Sequence, residues 1–329
     1  MPRPSLKTVL TRLDDAVELL HQDYGGLPRA VEADQILREI WVEDTYHSTG
    51  IEGNPLSRRQ VERLLEEGQA SGRLTDTLEV EGYARAARWV YAHAQDYPAS
   101  GGLPLSVVQE VQRQLVAPHW TVNPPEDGST PGSFRRRGVN IAGSSVKTTP
   151  PIAIDGCMQD WLDHTGPVAG DTGEHELEHV AGLHAWFERI HPFVDGNGRA
   201  GRLLLNFSLM QRGYPPAVLL QTERRRYLAA LARADDGNSG YLTELIARAI
   251  ESNIHRFLIP GLAGDARLIP LQALAEGSGY THAYLRTLVV QGRLRASRQG
   301  RIWMSSRGWL QDYKASRKRP GRPRSSHRS

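Results

Sequence analysis

The sequence predicts a mainly α protein, a helical bundle interrupted once by a β-like segment and followed by a small C-terminal unit. Three observations carry that prediction. Apolar residues recur every three or four positions through most of residues 33–257. The one long break in that rhythm, residues 118–151, is bounded by Pro124-Pro125, Pro131-Gly132 and Pro150-Pro151. Beyond Pro260-Gly261 the elements become short. At 329 residues the chain is long enough for a main core and a smaller appended unit.

Taken in order, the first predicted helix covers 33–52. Ile36, Leu37, Ile40 and Trp41 share helical spacing there, and Gly53-Asn54-Pro55 stops the run. Further helices are predicted over 57–67, 76–95 and 105–116. The β-like piece Gly138-Val-Asn-Ile-Ala-Gly143 follows, and helices resume over 152–163, 174–190, 199–212, 222–233 and 240–257. A boundary is expected at Pro260-Gly-Leu-Ala-Gly264.

Apolar content of 39% and charged content of 23% are ordinary for a soluble globular chain. No run of about 18 apolar residues occurs and the first residues lack an apolar signal core, so a cytoplasmic protein without membrane partners is expected. The single Cys157 excludes an internal disulfide and a multi-cysteine zinc site. From Lys314 onward there are seven Lys or Arg and no acid; without them the net charge of +3 becomes −4 for residues 1–313. Any attraction to nucleic acid is therefore expected from the tail, not from the body.

The segment His191-Pro-Phe-Val-Asp-Gly-Asn-Gly-Arg-Ala-Gly-Arg202 carries the chemistry. A helix apolar on one broad face ends at His191, because the following proline disfavours helix there. A glycine-rich turn then feeds a new helix, whose first N–H groups have no partner inside the helix and form a ready anion site. Arg199 and Arg202 stand in the first turn of that helix, where its dipole opposes them, so they make sense beside a polyphosphate. Asp195 offers a hard oxygen suited to magnesium, and His191 can accept a proton near neutrality. A base, a carboxylate, an anion nest and two guanidiniums together describe phosphoryl or nucleotidyl transfer.

This segment resembles the Fic motif H-x-F-x-[D/E]-G-N-G-R-x-x-R at every fixed position. The resemblance implies a Fic-type helical bundle with a β-hairpin flap, and AMP transfer from ATP to a hydroxyl side chain (Tyr, Ser or Thr) of a target protein or of the chain itself. His191 would deprotonate the hydroxyl, Phe193 anchor the loop, and Asp195 hold Mg2+ on the α- and β-phosphates. Gly196, Asn197 and Gly198 would form the anion hole, with Asn197 facing the α-phosphate, while Arg199 and Arg202 bind the β- and γ-phosphates. The residues Pro131–Arg135, Val139, Asn140, Ile141 and Pro150-Pro151 are similar to the flap that lines the target's backbone. Tyr227, in Arg224-Arg-Arg-Tyr227, resembles the flank of the adenine pocket. Some relatives transfer phosphocholine or phosphate; the intact Arg202 fits a nucleoside triphosphate. Relatives also form dimers, so a homodimer is among the implied partners.

Residues 48–53, Ser-Thr-Gly-Ile-Glu-Gly, place Ser48 and Glu52 four apart on one helical face. The stretch resembles the inhibitory motif [S/T]-x-x-x-E-[G/N] of Fic proteins whose inhibitory helix precedes the catalytic domain. Glu52 would pair with Arg202 and deny it to the γ-phosphate. In relatives the same glutamate can also serve AMP removal.

The expected organisation is a helical region over 1–100 carrying the inhibitory helix at about 33–53, a catalytic domain over 101–260, a unit over 266–313 and a basic disordered tail over 314–329. The unit shows Leu271, Leu274 and Ala275 on a short helix and Gly277-Ser-Gly279 as a turn. A second helix follows, capped by Thr281 with Tyr284, Leu285, Leu288 and Val289 inward, then a hairpin at Gln299-Gly300 and a last helix after Ser306. It resembles a winged helix-turn-helix, and Gly321-Arg322-Pro323 matches the core of a minor-groove AT-hook, so residues 266–329 could contact DNA. The alternative to a protein adenylyltransferase is therefore a DNA-binding regulator in which the Fic core is secondary.

Overall fold

The computed structural model describes residues 4–28, 34–69, 72–139, 148–168, 173–264, 268–299 and 302–317. Its first helix, α1 (Leu6–Tyr24), is an addition to the expected set, which begins at residue 33. The signal for it was in the sequence: Ser5 Oγ accepts from Thr8 N–H at 3.2 Å as an N-cap, and Val9, Leu10, Leu13, Ala16 and Leu20 form the buried stripe. α1 packs on α10 (Gly240–Asn253), where Arg12 pairs with Glu251.

Helix α2 (Asp34–Ile51) lies against α4 (Leu74–His93), with α3 (Arg58–Glu67) beside both. α4 in turn crosses α5 (Leu105–Trp120) closely. A Cβ on Gly82 would sit 2.0 Å from the Leu115 carbonyl oxygen, so only glycine permits that approach. α5 runs four residues beyond the expected 116, continuing through Pro118 to Trp120.

α6 (Ile154–Asp163) and α7 (Glu176–Ile190) lead to α8 (Asn197–Gln211), which is packed by α2, α4, α5 and α7. Nearly every α8 residue is buried, including Arg199, Arg202 and Asn206. A helix buried all round is the centre of a bundle, and this one begins in the glycine-rich loop. The fold therefore packs the helix that opens in this loop on several sides.

α9 (Arg224–Asp235) and α10 close the bundle against α7. The backbone beyond α10 passes through a wider turn at Ile254–Leu258 into α11 (Ile259–Ala263), so the expected break at Pro260 is instead helix. Pro260 is tolerated because a first-turn residue needs no N–H. One apolar core runs from Val9 to Leu262.

The remaining elements are β1 (Leu268–Pro270), α12 (Leu271–Ala275), α13 (His282–Val290), β2 (Ser297–Gln299), β3 (Ile302–Ser306) and α14 (Arg307–Arg317). β3 is the central strand of an antiparallel sheet ordered β1-β3-β2, pairing Leu268 with Ser306 and Arg298 with Trp303. Thr281 caps α13, its Oγ1 accepting from Tyr284 N–H. Leu271, Leu274, Leu285, Leu288, Leu294, Leu310 and Tyr313 form a core of their own. Tyr284, expected inward, is 37% exposed. α14 reaches Arg317 and so enters the stretch read as tail, where Lys314 Nζ donates to the Ser278 carbonyl at 2.7 Å. The AT-hook-like residues 318–324 lie outside the described residues, as do Asn140 and Ile141 of the expected flap. Val139 is described; its carbonyl accepts from Thr148 Oγ1 at 2.8 Å, and no strand forms among the described residues 121–139 and 148–150. Among the described residues no helix is long and apolar enough to cross a membrane.

Candidate active site

His191 ends α7 in the left-handed region (φ 52°, ψ 57°), the only non-glycine residue with positive φ among the described residues. Its N–H closes the helix on the Phe187 carbonyl at 3.0 Å, and Pro192 prevents the chain from continuing as helix. Such a backbone is sparsely populated for histidine and persists only where the surroundings over-determine it. His191 Nδ1 lies 3.1 Å from the Glu188 carbonyl oxygen. A carbonyl only accepts, so Nδ1 carries the hydrogen and Nε2 keeps its lone pair. Burial holds the imidazole below its usual pKa, and Arg135 acts in the same sense; the Glu188 carbonyl, Glu52 and Asp195 oppose them. The neutral, base-competent form is favoured.

Phe193 is fully buried against Phe134 and Phe187, with ring centroids 5.5 and 6.5 Å away. Asn197 folds back on it: Oδ1 accepts from Phe193 N–H and Nδ2 donates to the Phe193 carbonyl, both at 2.8 Å. The side chain thereby pins the loop, and one Nδ2 hydrogen remains beside the backbone N–H. Gly196 turns at φ 79°, and a Cβ there would meet Leu115 Cδ2 at 2.7 Å. α8 starts at Asn197, not at 199, so its unpaired N–H groups begin inside the motif.

Asp195 accepts from Gly196 N–H at 2.6 Å and from Arg199 Nη2 at 3.1 Å, and its side chain is 42% exposed. Arg199 is itself buried, also facing Glu79 at 3.8 Å. Among the described residues no three His, Cys, Asp or Glu side chains gather to hold a metal. A magnesium ion would accordingly share the Asp195 carboxylate with phosphate oxygens, which suits its preference for few protein ligands.

Arg202 is 3% exposed and is bonded to α2 through Nε and Nη2. Nε donates to Ser48 Oγ at 2.7 Å, while Nη2 donates to the Ser48 carbonyl at 2.9 Å and to Glu52 Oε1 at 2.7 Å. A Cβ on Gly198 would lie only 2.5 Å from Glu52 Oε1. The Glu52 carboxylate thus sits over the first turn of α8, where a phosphate would bind. Burial opposes its ionisation, yet Arg202, Arg199 and Arg224 outweigh that and hold its pKa below the usual value. A buried guanidinium left alone is strongly unfavourable, so Arg202 needs an anion, whichever one is present.

Tyr227 requires a correction. It is 2% exposed, its hydroxyl is 2.8 Å from His184 Nε2, and the Arg202 guanidinium lies over its ring at 5.9 Å. From inside the core it backs Arg202 and cannot stack on a base. Glu188 is a neighbouring buried acid with Oε1 unpaired, pushed up to about 8 by burial, so it is protonated at neutral pH.

Gln112 and Asp44 escaped sequence reasoning, and Arg135 was read only as part of the flap-like stretch, because their partners are backbone atoms or distant in sequence. Arg135, 2% exposed, donates from Nε to the His191 carbonyl at 2.7 Å, from Nη1 to Arg137 O at 2.8 Å and from Nη2 to Thr149 O at 2.5 Å. It ties the backbone at His191 to that at Arg137 and Thr149. Gln112 donates to the Asp195 carbonyl at 3.2 Å and accepts from Gly132 N–H at 2.5 Å. Asp44 on α2 accepts from Tyr83 (3.1 Å), Asn206 (3.3 Å) and Tyr91 (3.4 Å), joining the helix of Glu52 to α4 and α8.

Burial pushes Asp44 up to about 7, against the hydrogen bonds and Arg202. Between its unfolded value of about 4 and that point, the folded state holds a proton the unfolded state lacks. Stability from this group therefore falls as pH rises through the window. Asp44→Asn is expected to melt above wild type at about pH 8 and to lose that advantage near pH 5, as read by thermal melts across the range. An unchanged difference between the two proteins at both ends would refute the assignment.

Residues 102–209 match the model of the Fic/DOC family. Protein adenylyltransferase Fic of Drosophila virilis is 28% identical over 282 residues, covering 84% of this chain and 53% of the relative. Its Drosophila melanogaster counterpart is 30% identical over 254 residues, covering 74% and 46%. This chain spans about half the length of these curated relatives. In fold it is similar to Fic-1 of C. elegans (TM-score 0.64, 24% identity, 78% of this chain and 73% of that one). A Fic domain containing signaling protein of Bacteroides thetaiotaomicron is also similar (0.61, 22%, 80% and 98%). The motif His191–Arg202, the helical bundle that presents it and these matches agree: residues 102–209 of this chain carry the match to the Fic/DOC family, and the fold around them is similar to that of Fic proteins.

Proposed function

We propose that this chain is an autoinhibited protein adenylyltransferase. The observation that carries the reading is the Glu52 carboxylate over Gly198, bonded to Arg202, at the end of a helix built to receive phosphate. In the competent state the triphosphate replaces Glu52 on Arg202, and the N–H groups opening α8 face phosphate oxygens. A protein hydroxyl gives its proton to His191 Nε2, its oxygen bonds to the α-phosphorus, and the bond to the bridging oxygen breaks to release pyrophosphate. Asp195 would hold Mg2+, which when bound neutralises phosphate charge; Arg199 would then exchange Asp195 for a phosphate. Curated relatives bear the name adenylyltransferase. The chemistry is tested by offering ATP labelled at either the α- or the γ-phosphate. Label is expected on protein from the α-position alone; transfer of the γ-label would overturn the reading in favour of phosphorylation.

A second reading concerns the C-terminal unit. Arg286 on α13 and Arg293, Arg295 and Arg298 around the β2–β3 hairpin are exposed, with Arg295 and Arg298 over Trp309 and Trp303 at 5.0 and 5.7 Å. Arginines on one helix and one hairpin suit duplex DNA. The full chain is expected to shift a DNA duplex at low salt and to release it steeply as salt rises. No shift at low salt would remove this reading.

A further inference from the structure

A second cavity lies behind the helix that carries Glu52. Its volume is about 280 Å3, and α2, the segment Val218–Leu220, α9 and α10 wall it; none of residues 191–202 takes part. From α2 it takes Glu43 and His47, which sit about 140° round the helix from Ser48 and Glu52. One helix therefore faces the phosphate nest on one side and this cavity on the other.

The lining is that of a ligand site. Leu219, Leu245, Ala249 and Phe257 supply an apolar wall. Of the arginines, Arg226 and Arg248 are paired with Glu223 and Glu244. Arg233 and Arg256 instead lie over the rings of Tyr241 and Phe257, at 4.0 and 5.0 Å, with no carboxylate within ion-pair distance among the described residues. A guanidinium laid on an aromatic face keeps its N–H edge for an anion. His47 also stands on the wall, its Nε2 lying 3.5 Å from Glu43.

We propose that this cavity binds a small anion with an apolar or aromatic body, a carboxylate or phosphate ester, held at its charged end by Arg233 and Arg256. The volume sits at the low end of ligand pockets, which restricts the class to small molecules. The same corner seats the end of α2. Arg224 Nε donates to the Ile51 carbonyl at 2.7 Å, and a Cβ on Gly50 would lie 2.3 Å from Gln221 Oε1. A ligand bridging α2 to α9 and α10 favours the seated helix and so lowers transfer; this consequence rests on the proposed braking by Glu52. By linkage, ATP bound in the productive orientation weakens the ligand by the same factor.

The test is saturation-transfer NMR on the full chain with millimolar phenyl phosphate and 3-phenylpropionate, and with neutral 3-phenylpropanamide as control. Both anions are expected to bind, the amide is not, and Arg233→Gln with Arg256→Gln is expected to weaken binding about tenfold or more. Ala249→Leu, which fills the space without touching a charge, is expected to do the same and guards against a misfolded arginine variant. Absence of binding by either anion, or binding that survives both variants, overturns the site. Because this readout needs no turnover, a failure of the chain to transfer AMP bears on the proposed function alone.

Discussion

Replacing Glu52 by glycine is expected to raise the rate at which the chain labels itself from ATP by about 10- to 150-fold, the factor carried by a charge-assisted hydrogen bond of about 1.5–3 kcal/mol. The bond in question joins Arg202 Nη2 to Glu52 Oε1 at 2.7 Å. Its loss frees the guanidinium and uncovers Gly198 together, so one substitution removes both a competitor and an obstruction. The side chain is 39% exposed and packs no core, so the fold is expected to survive. Without nucleotide, however, the variant leaves Arg202 buried without its carboxylate, and its melting temperature is expected to drop and to recover when ATP is added. Initial labelling rates of the two proteins at equal ATP measure the effect. A rate equal to wild type would mean that α2 does not act as a brake.

The second large effect belongs to His191. In the Glu52→Gly background, His191→Ala is expected to lower transfer by about 10²- to 10⁴-fold, the range for loss of a positioned general base. Nδ1 donates to Glu188 and leaves Nε2 as the acceptor, so the side chain is held by one bond to backbone and by burial. Alanine is no better suited than histidine to φ 52°, and the loop keeps Phe193, Asn197 and Arg135 as anchors. Thermal stability should accordingly change little while activity collapses. A variant that retains its rate would show that the hydroxyl loses its proton elsewhere.

How much of this was legible in the sequence depends on the kind of residue. The loop His191–Arg202 was readable because its chemistry is compressed into one ungapped segment, and the Ser48/Glu52 spacing marked a helix face that meets Arg202. Tyr227 misled because proximity in sequence to a site says nothing of which side of α9 a residue occupies; it faces His184 and the core. Asn197 has a further role that residue type did not announce, since its side chain also holds the loop's own backbone at Phe193. Gln112 could not be found at all, and Arg135 was seen only as one residue of the flap-like Pro131–Arg135, since N–H and carbonyl groups 20 and 56 positions away leave no trace in residue type. Asp44 shows the same limit, a carboxylate in an apolar helix whose burial only packing reveals. The helical class was plain, but α1 was passed over and the boundary expected from Pro260 falls within α11, a helix that accommodates the proline.

The most direct measurement is the intact mass of the Glu52→Gly chain after incubation with ATP and magnesium, alongside wild type. A gain of one AMP, abundant in the variant and scarce in wild type, is the outcome that a competent site held shut by Glu52 requires. No gain in the variant, or a gain of a bare phosphate, would contradict it.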